Sequence, residues 1–166
     1  MEQPIPAPFV GLRTVVKPEW IDDNGHFNAG YYFVVFDESV TDFMNFVGLD
    51  RAHRDRHDVT TFSVEGHITF EREMSLGDPI EIRSLLLGWD AKKIHSINLM
   101  YHGSDGWLAA TNELLSMHIS TETRRSAPMA PEIQDRLAAI LAAHAELPTP
   151  PQVGRVIGVT AGRAGG

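Results

Sequence analysis

The chain has 166 residues, is 43% hydrophobic, carries a formal net charge of -8 and contains no cysteine. Its length suits a single hydrophobic core, and the acidic balance argues against a nucleic-acid partner, because affinity for a phosphate backbone needs surplus Lys and Arg. The missing cysteines exclude disulfides, thiolate catalysis, Fe–S clusters and Cys-based zinc sites, which leaves carboxylates, histidines, amides and hydroxyls to do any chemistry.

The opening MEQPIPAPFV lacks the basic start and apolar stretch of a signal peptide, and no window reaches the about 18 apolar residues of a membrane span. A cytoplasmic location with no membrane partner is expected. FVGLRTVVK, residues 9–17, reads as a strand that Pro18 ends for want of a ladder N–H. A polar turn, WIDDNGHFNAGYY, follows. From Gly30 to Val47 the residues Tyr32, Phe36, Val40, Phe43 and Val47 recur at spacings of three and four, which predicts a helix with one buried face that stops at Gly48. LDRAHRDRHDV, residues 49–59, is charged and unpatterned, a loop or short surface helix.

In TTFSVEGHITFERE the period becomes two, so Phe62, Val64, Ile68 and Phe70 are expected on the buried face of a long strand. Glu65 and His67 share its other face. SLGDP turns the chain into IEIRSLLLGW and KKIHSINLMYH, and GSDG leads into WLAATNELLSMHIS, which together predict an antiparallel meander of four strands. On the last strand Trp107, Ala109, Thr111, Leu115, Met117 and Ile119 form the expected apolar face, with Glu113 among them. A carboxylate so placed needs a partner, and a structural hydrogen bond to His95, His67 or the central helix competes with a role in a site. APEIQDRLAAILAAHAEL sets Ile133, Leu137, Ile140 and Leu141 on one face of a terminal helix, and residues 148–166, rich in Pro and Gly, read as an extended or mobile tail.

This element order predicts the α+β class. A sheet of this size must wrap the one long helix to bury its aromatic stripe, which is the hotdog fold: a curved antiparallel β-sheet around a long central α-helix, with a C-terminal helix. The expected division is a core domain over residues 1–130, the helix over 131–147 and the tail over 148–166.

VKPEWIDDNGHFNAGYY places an aspartate three residues before the Gly of a Gly-His-x-Asn turn, and in this it resembles hotdog-fold acyl-CoA thioesterases of the 4-hydroxybenzoyl-CoA thioesterase type. More narrowly, WIDDNGHFNAGYY, VEGHITFERE, LGWDAKKIHSINLMYH and LAATNELLSMHISTETRRSAP are similar to the betainyl-CoA thioesterases of carnitine and betaine breakdown. The resemblance runs from about residue 10 to about residue 130. It implies hydrolysis of a small acyl-CoA, with Asp22 as general base or direct nucleophile and the backbone N–H of Ala29 as oxyanion donor. His26 and Asn28 would orient the turn, the carbonyl or the water.

The residue chemistry accords with that reading. Asn28 is a good N-cap, the N–H groups of Ala29, Gly30 and Tyr31 belong to the donor-rich first turn, and Gly25 permits a tight turn. Asp22, Asp23 and Asn28 also suit plain helix capping, and the two roles are compatible. The aromatics Trp20, Tyr31, Tyr32, Phe62 and Trp89 are candidates for a cation-π cage around a trimethylammonium group, core packing being the competing account. Glu65 and His67 either line a pocket shared across a dimer or face solvent. Arg72, Lys92, Lys93, Arg124 and Arg125 either hold the CoA phosphates or are scattered solvated charges.

No cofactor is expected, CoA being part of the substrate. His53 and His57 have metal-ligand spacing if helical, but without a further ligand nearby in sequence no metal is expected either. A lone hotdog leaves a sheet edge open, so a homodimer or dimer of dimers is anticipated. The competing functions are a hydratase or dehydratase working with an Asp/His or Glu/His pair, and a non-catalytic acyl-CoA-binding protein.

Overall fold

The computed structural model describes residues 4–159. Its elements are β1 (Phe9–Val15), a 3-10 turn at Pro18–Trp20, α1 (Ala29–Val47), α2 (Arg51–His57), β2 (Val59–Phe70), β3 (Pro79–Trp89), β4 (Lys93–His102), β5 (Leu108–Ser120) and α3 (Pro131–His144). The charged stretch after α1 is thus the short helix α2. Its start is capped by the Asp50 carboxylate, which accepts from the His53 N–H at 2.8 Å.

One five-stranded antiparallel sheet runs in the order β1-β3-β4-β5-β2 and wraps α1. The expected meander therefore holds for β3, β4 and β5 but not for β2, which pairs with β5 at the far edge. Residues 71–78 are not a hairpin turn. They carry the chain from β2 back to β3, and Met74 is buried among the residues at the start of α1.

The even-numbered positions of the central strands face α1. Val35 and Phe36 pack against Ile80, Ile82, Met100 and Ala110. Further along, Phe43, Met44 and Val47 meet Leu86 and Ile94, and Ile133, Leu137 and Ile140 of α3 close that end. Odd-numbered Leu85, Ile97 and Leu99 face outward and are covered by Leu147 and Val153. The expected apolar face of β5 is corrected accordingly. Leu114 and Ser116 are buried toward the helix, whereas Glu113, Leu115 and Met117 belong to the outer face and are less buried.

β2 departs further from expectation. Phe62, Val64 and Phe70 are 43%, 48% and 57% exposed, and of the expected buried set Ile68 alone packs on the core. The cause is position: β2 is an edge strand whose alternation is broken by a bulge between Ser63 and Glu65, which lets the strand turn away from the helix. In the described part of the tail Val153 packs on the outer face of the sheet and Val156, Ile157 and Val159 are exposed, and residues 160–166 of the expected mobile segment lie outside the described residues.

His144 ties three parts of the fold together. Its Nδ1 accepts from the Leu86 N–H at 2.9 Å, and its Nε2–H donates to the Pro6 carbonyl at 3.0 Å. Burial holds this imidazole below its ordinary value of 6.5. Below pH 6.5 the unfolded chain therefore takes up a proton that the folded chain refuses, and stability falls as the pH drops toward the depressed folded value. His144→Ala should cost about 1–3 kcal/mol by leaving the buried Leu86 N–H without an acceptor. In melts from pH 8 to pH 5 it should also flatten the acid decline, and a variant with wild-type stability and pH slope would contradict this role.

Candidate active site

The segment before α1 closes on itself as a small irregular hairpin. The Asp22 N–H donates to the His26 carbonyl at 2.9 Å, the Asn28 N–H donates to the Trp20 carbonyl at 2.9 Å, and Ile21 bridges Phe27. Gly25 makes the tip with a φ of +81°, a left-handed conformation that a side chain would strain. The pairing returns Trp20 to Asn28, the cap of α1, and sets Asp22 beside His26.

Asp22 Oδ1 accepts from the N–H groups of Asn24 and His26 at 2.9 and 3.1 Å. Its Oδ2 has no hydrogen-bond partner among the described residues. Asn28 caps α1, its Oδ1 accepting from the Gly30 N–H at 2.8 Å, and its carbonyl accepts from the Tyr31 N–H at 2.9 Å. Such a cap contributes about 1 kcal/mol. The Ala29 N–H is left without an acceptor among the described residues, at the positive end of a 19-residue helix.

Ala29 lines a cavity of about 260 Å³ whose other walls are Phe27, Tyr32, Phe70, Glu71, Arg72 and Glu73. Phe27 and Tyr32 stack with centroids 3.9 Å apart, and Phe70 meets Tyr32 edge-on at 5.2 Å. Burial pushes the Tyr32 phenol above its ordinary value, so it stays protonated. The loop 71–78 brings two carboxylates to this wall: Glu73 lies 3.3 Å from His26 Nε2, and Glu71 accepts from Thr69 Oγ1 at 2.8 Å. The Gln152 side-chain amide also donates to Glu71, at 3.1 Å, so the tail reaches the same group.

Of the residues singled out in sequence, Ala29 and Arg72 line this cavity and His26 reaches its wall through Glu73, while Asp22, Gly25 and Asn28 belong to the hairpin and cap just ahead of it. Trp20 is buried beneath them, stacked on Phe27 at 5.8 Å and on Tyr31 at 6.1 Å, with Lys17 Nζ already 4.7 Å over its ring. Tyr31 is exposed. Trp89 is elsewhere, packed among the residues that join the end of α1 to α3. Phe62 lies at the other end of β2 with Arg124 above it. Lys92, Lys93, Arg124 and Arg125 also lie at that end, while β5 alone spans about 40 Å.

Glu65, His67 and Glu113 are on the opposite face of the sheet. There His95 Nε2 and Glu113 Oε1 are 2.8 Å apart, and Glu113 Oε2 accepts from the Gly154 N–H at 2.8 Å. These residues and the tail line a separate cavity of about 730 Å³. The sequence reading missed Phe27, Phe70, Glu71 and Glu73 as site residues. Its one available signal was the length of EREMSLGD, too long for a tight hairpin turn.

Residues 16–137 match the family described as the thioesterase-like superfamily. The chain is 38% identical over 147 residues to the betainyl-CoA thioesterase of Pseudomonas aeruginosa, covering 89% of this chain and 92% of that protein. It is 33% identical over 150 residues to the L-carnitine dehydrogenase/betainyl-CoA thioesterase of Ruegeria pomeroyi, covering 90% of this chain and 30% of that longer protein. A Staphylococcus aureus protein solved in complex with CoA superposes with a TM-score of 0.86 at 29% identity, over 96% of this chain and 99% of the other.

Proposed function

This chain belongs to the thioesterase-like superfamily, and from that membership we propose that it hydrolyses a small cationic acyl-CoA, betainyl-CoA above all, to the free acid and CoA. The observation that carries the reading is the pocket at the start of α1, where an unengaged N–H, three aromatic rings and two carboxylates share one small cavity. The Ala29 N–H receives the carbonyl oxygen as it gains negative charge, an interaction worth about 3–4 kcal/mol in comparable oxyanion holes. Asp22, with Oδ2 unengaged, either removes a proton from the attacking water or attacks the carbonyl carbon itself. The C–S bond then breaks and CoA leaves as the thiolate; where Asp22 is the nucleophile, water then hydrolyses the acyl-aspartyl anhydride to release the acid and restore the carboxylate.

The acyl end of the reading rests on charge. A trimethylammonium group has no N–H to donate, so it is recognised by ring faces and by carboxylates at van der Waals distance. Phe27, Tyr32 and Phe70 supply the rings, and Glu71 and Glu73 supply the charge. A hydratase would need an Asp/His or Glu/His pair beside the thioester, and Glu73 with His26 Nε2 at 3.3 Å is such a pair at this wall, whereas His95 and Glu113 lie on the other face of the sheet, so incubation with an enoyl-CoA separates that reading from hydrolysis.

A second copy of the chain completes the assembly in this reading. Edge strand β2 exposes Phe62, Val64 and Phe70, and the neighbouring face of α1 exposes Tyr31, Phe33 and Val34. Pairing β2 with its twin about a two-fold axis would continue the sheet and cover both apolar rows. It would also lay the Val59 end of one strand beside the Phe70 end of the other. The partner's Lys92, Lys93, Arg124 and Arg125 would then approach this chain's Ala29 pocket and Arg72, where the CoA phosphates need cations.

Two experiments test these points. Free-CoA release from betainyl-CoA, 4-hydroxybenzoyl-CoA, acetyl-CoA and a medium-chain acyl-CoA should be fastest with betainyl-CoA. It should drop at least about 100-fold in Asp22→Asn, whose amide oxygen can still accept the two turn hydrogen bonds. Activity indifferent to this change would sink the mechanism. Val64→Lys, which sets like charges face to face across the two-fold, should shift the sedimenting species toward monomer and lower turnover with it. A fully active monomer would refute the shared site.

A further inference from the structure

Three donor groups that the proposed hydrolysis does not use meet where α2 abuts the start of α3. His53 and His57 stand one turn apart on α2, with ring centroids 4.4 Å from each other, and Glu132 lies in the first turn of α3. One ligand atom from each of the three lies within 4.8 Å of the others. We propose that His53, His57 and Glu132 bind a divalent transition-metal ion, zinc by preference, which ties α2 to α3.

The geometry is close to what such an ion requires. Ligand atoms about 2.0 Å from a tetrahedral zinc stand about 3.3 Å apart, so a modest rotation of the exposed side chains completes the set. His57 and Glu132 are exposed and free to make it, whereas His53 is 8% exposed and is held in place as the third residue of the capped helix. Neither imidazole is engaged in a side-chain hydrogen bond among the described residues. Two nitrogens and one oxygen favour zinc, nickel, cobalt or copper over magnesium or calcium, which select all-oxygen sites. Arg56 adds positive potential nearby that opposes any cation, so affinity must come from the two imidazole lone pairs and the Glu132 carboxylate.

His118 stands nearby but is not one of the three ligands, its Nδ1–H donating to the Ala127 carbonyl at 2.8 Å.

The role is structural. α2 follows the C-terminal end of α1, and α1 spans about 28 Å from the Ala29 pocket, too far for the metal to touch the thioester. Three ligands leave one position for water. The sequence reading set His53 and His57 aside for lack of a third ligand, and Glu132 is that ligand, supplied from far along the chain.

Tag-free, chelator-treated full-length protein titrated with Co²⁺ and then Zn²⁺ tests the site. Saturable uptake of one equivalent of Co²⁺ with the visible absorption of a four-coordinate ion, its displacement by Zn²⁺ and a Zn²⁺-dependent rise in melting temperature are expected. His57→Ala and Glu132→Gln should each weaken Zn²⁺ binding by more than about tenfold, with hydrolysis and circular dichroism unchanged. No saturable uptake by the wild-type chain up to millimolar metal, or uptake unaltered in both variants, would overturn the proposal.

Discussion

Burial of α1 in the hollow of a single sheet governs where the rest of this chain can be open. Phe36, Phe43 and Val47 are almost wholly excluded from water, and five strands from both ends of the sequence are recruited to cover them. A helix so enclosed is held rigidly, yet the N–H groups of its first turn still need acceptors. Asn28 supplies one for Gly30 and another for Tyr31, and Ala29 is left over. The free N–H is thus a backbone group whose direction the packing of the helix already fixes.

Two other segments converge on that point because of how the sheet is threaded. The hairpin ahead of α1 pairs Asp22 with His26 and returns Trp20 to the helix cap, and the passage from β2 to β3 swings Glu71 and Glu73 past the helix end, anchored by Met74 in the core. The tail then crosses the outer face of the sheet, where Val153 packs on the apolar residues and Gln152 and Arg155 reach toward Glu71. A pocket wall is therefore coupled to a segment lying more than seventy positions later in sequence, by contacts that depend on the sheet between them.

What was legible in the sequence was what has a period or a local motif. The stripe from Tyr32 to Val47 located α1 to within a residue, and the Asn28 cap and Gly48 stop were both readable. Strand pairing was not. Alternation in β2 looks the same whether Phe62 and Val64 face their own core or a separate surface, so an edge strand was taken for a buried one. Parity failed on β5 for a related reason: with α1 on one side and the tail on the other, both faces are partly apolar. Trp89 was grouped with the site although β3 carries it to the far end of the molecule, and Glu132 could not be joined to His53 and His57 without the tertiary fold.

In the proposed reading the helix-end pocket recognises a positive charge on the acyl group as well as the thioester. Betainyl-CoA and 3,3-dimethylbutanoyl-CoA share a shape and differ in a quaternary nitrogen against a quaternary carbon, so their ratio of kcat/KM isolates the charge. We expect the wild type to favour betainyl-CoA by well over about tenfold, as cation-π and carboxylate contacts together predict, and Glu71→Gln with Glu73→Gln to bring the ratio toward unity. Equal use of the two esters by the wild type would contradict the account.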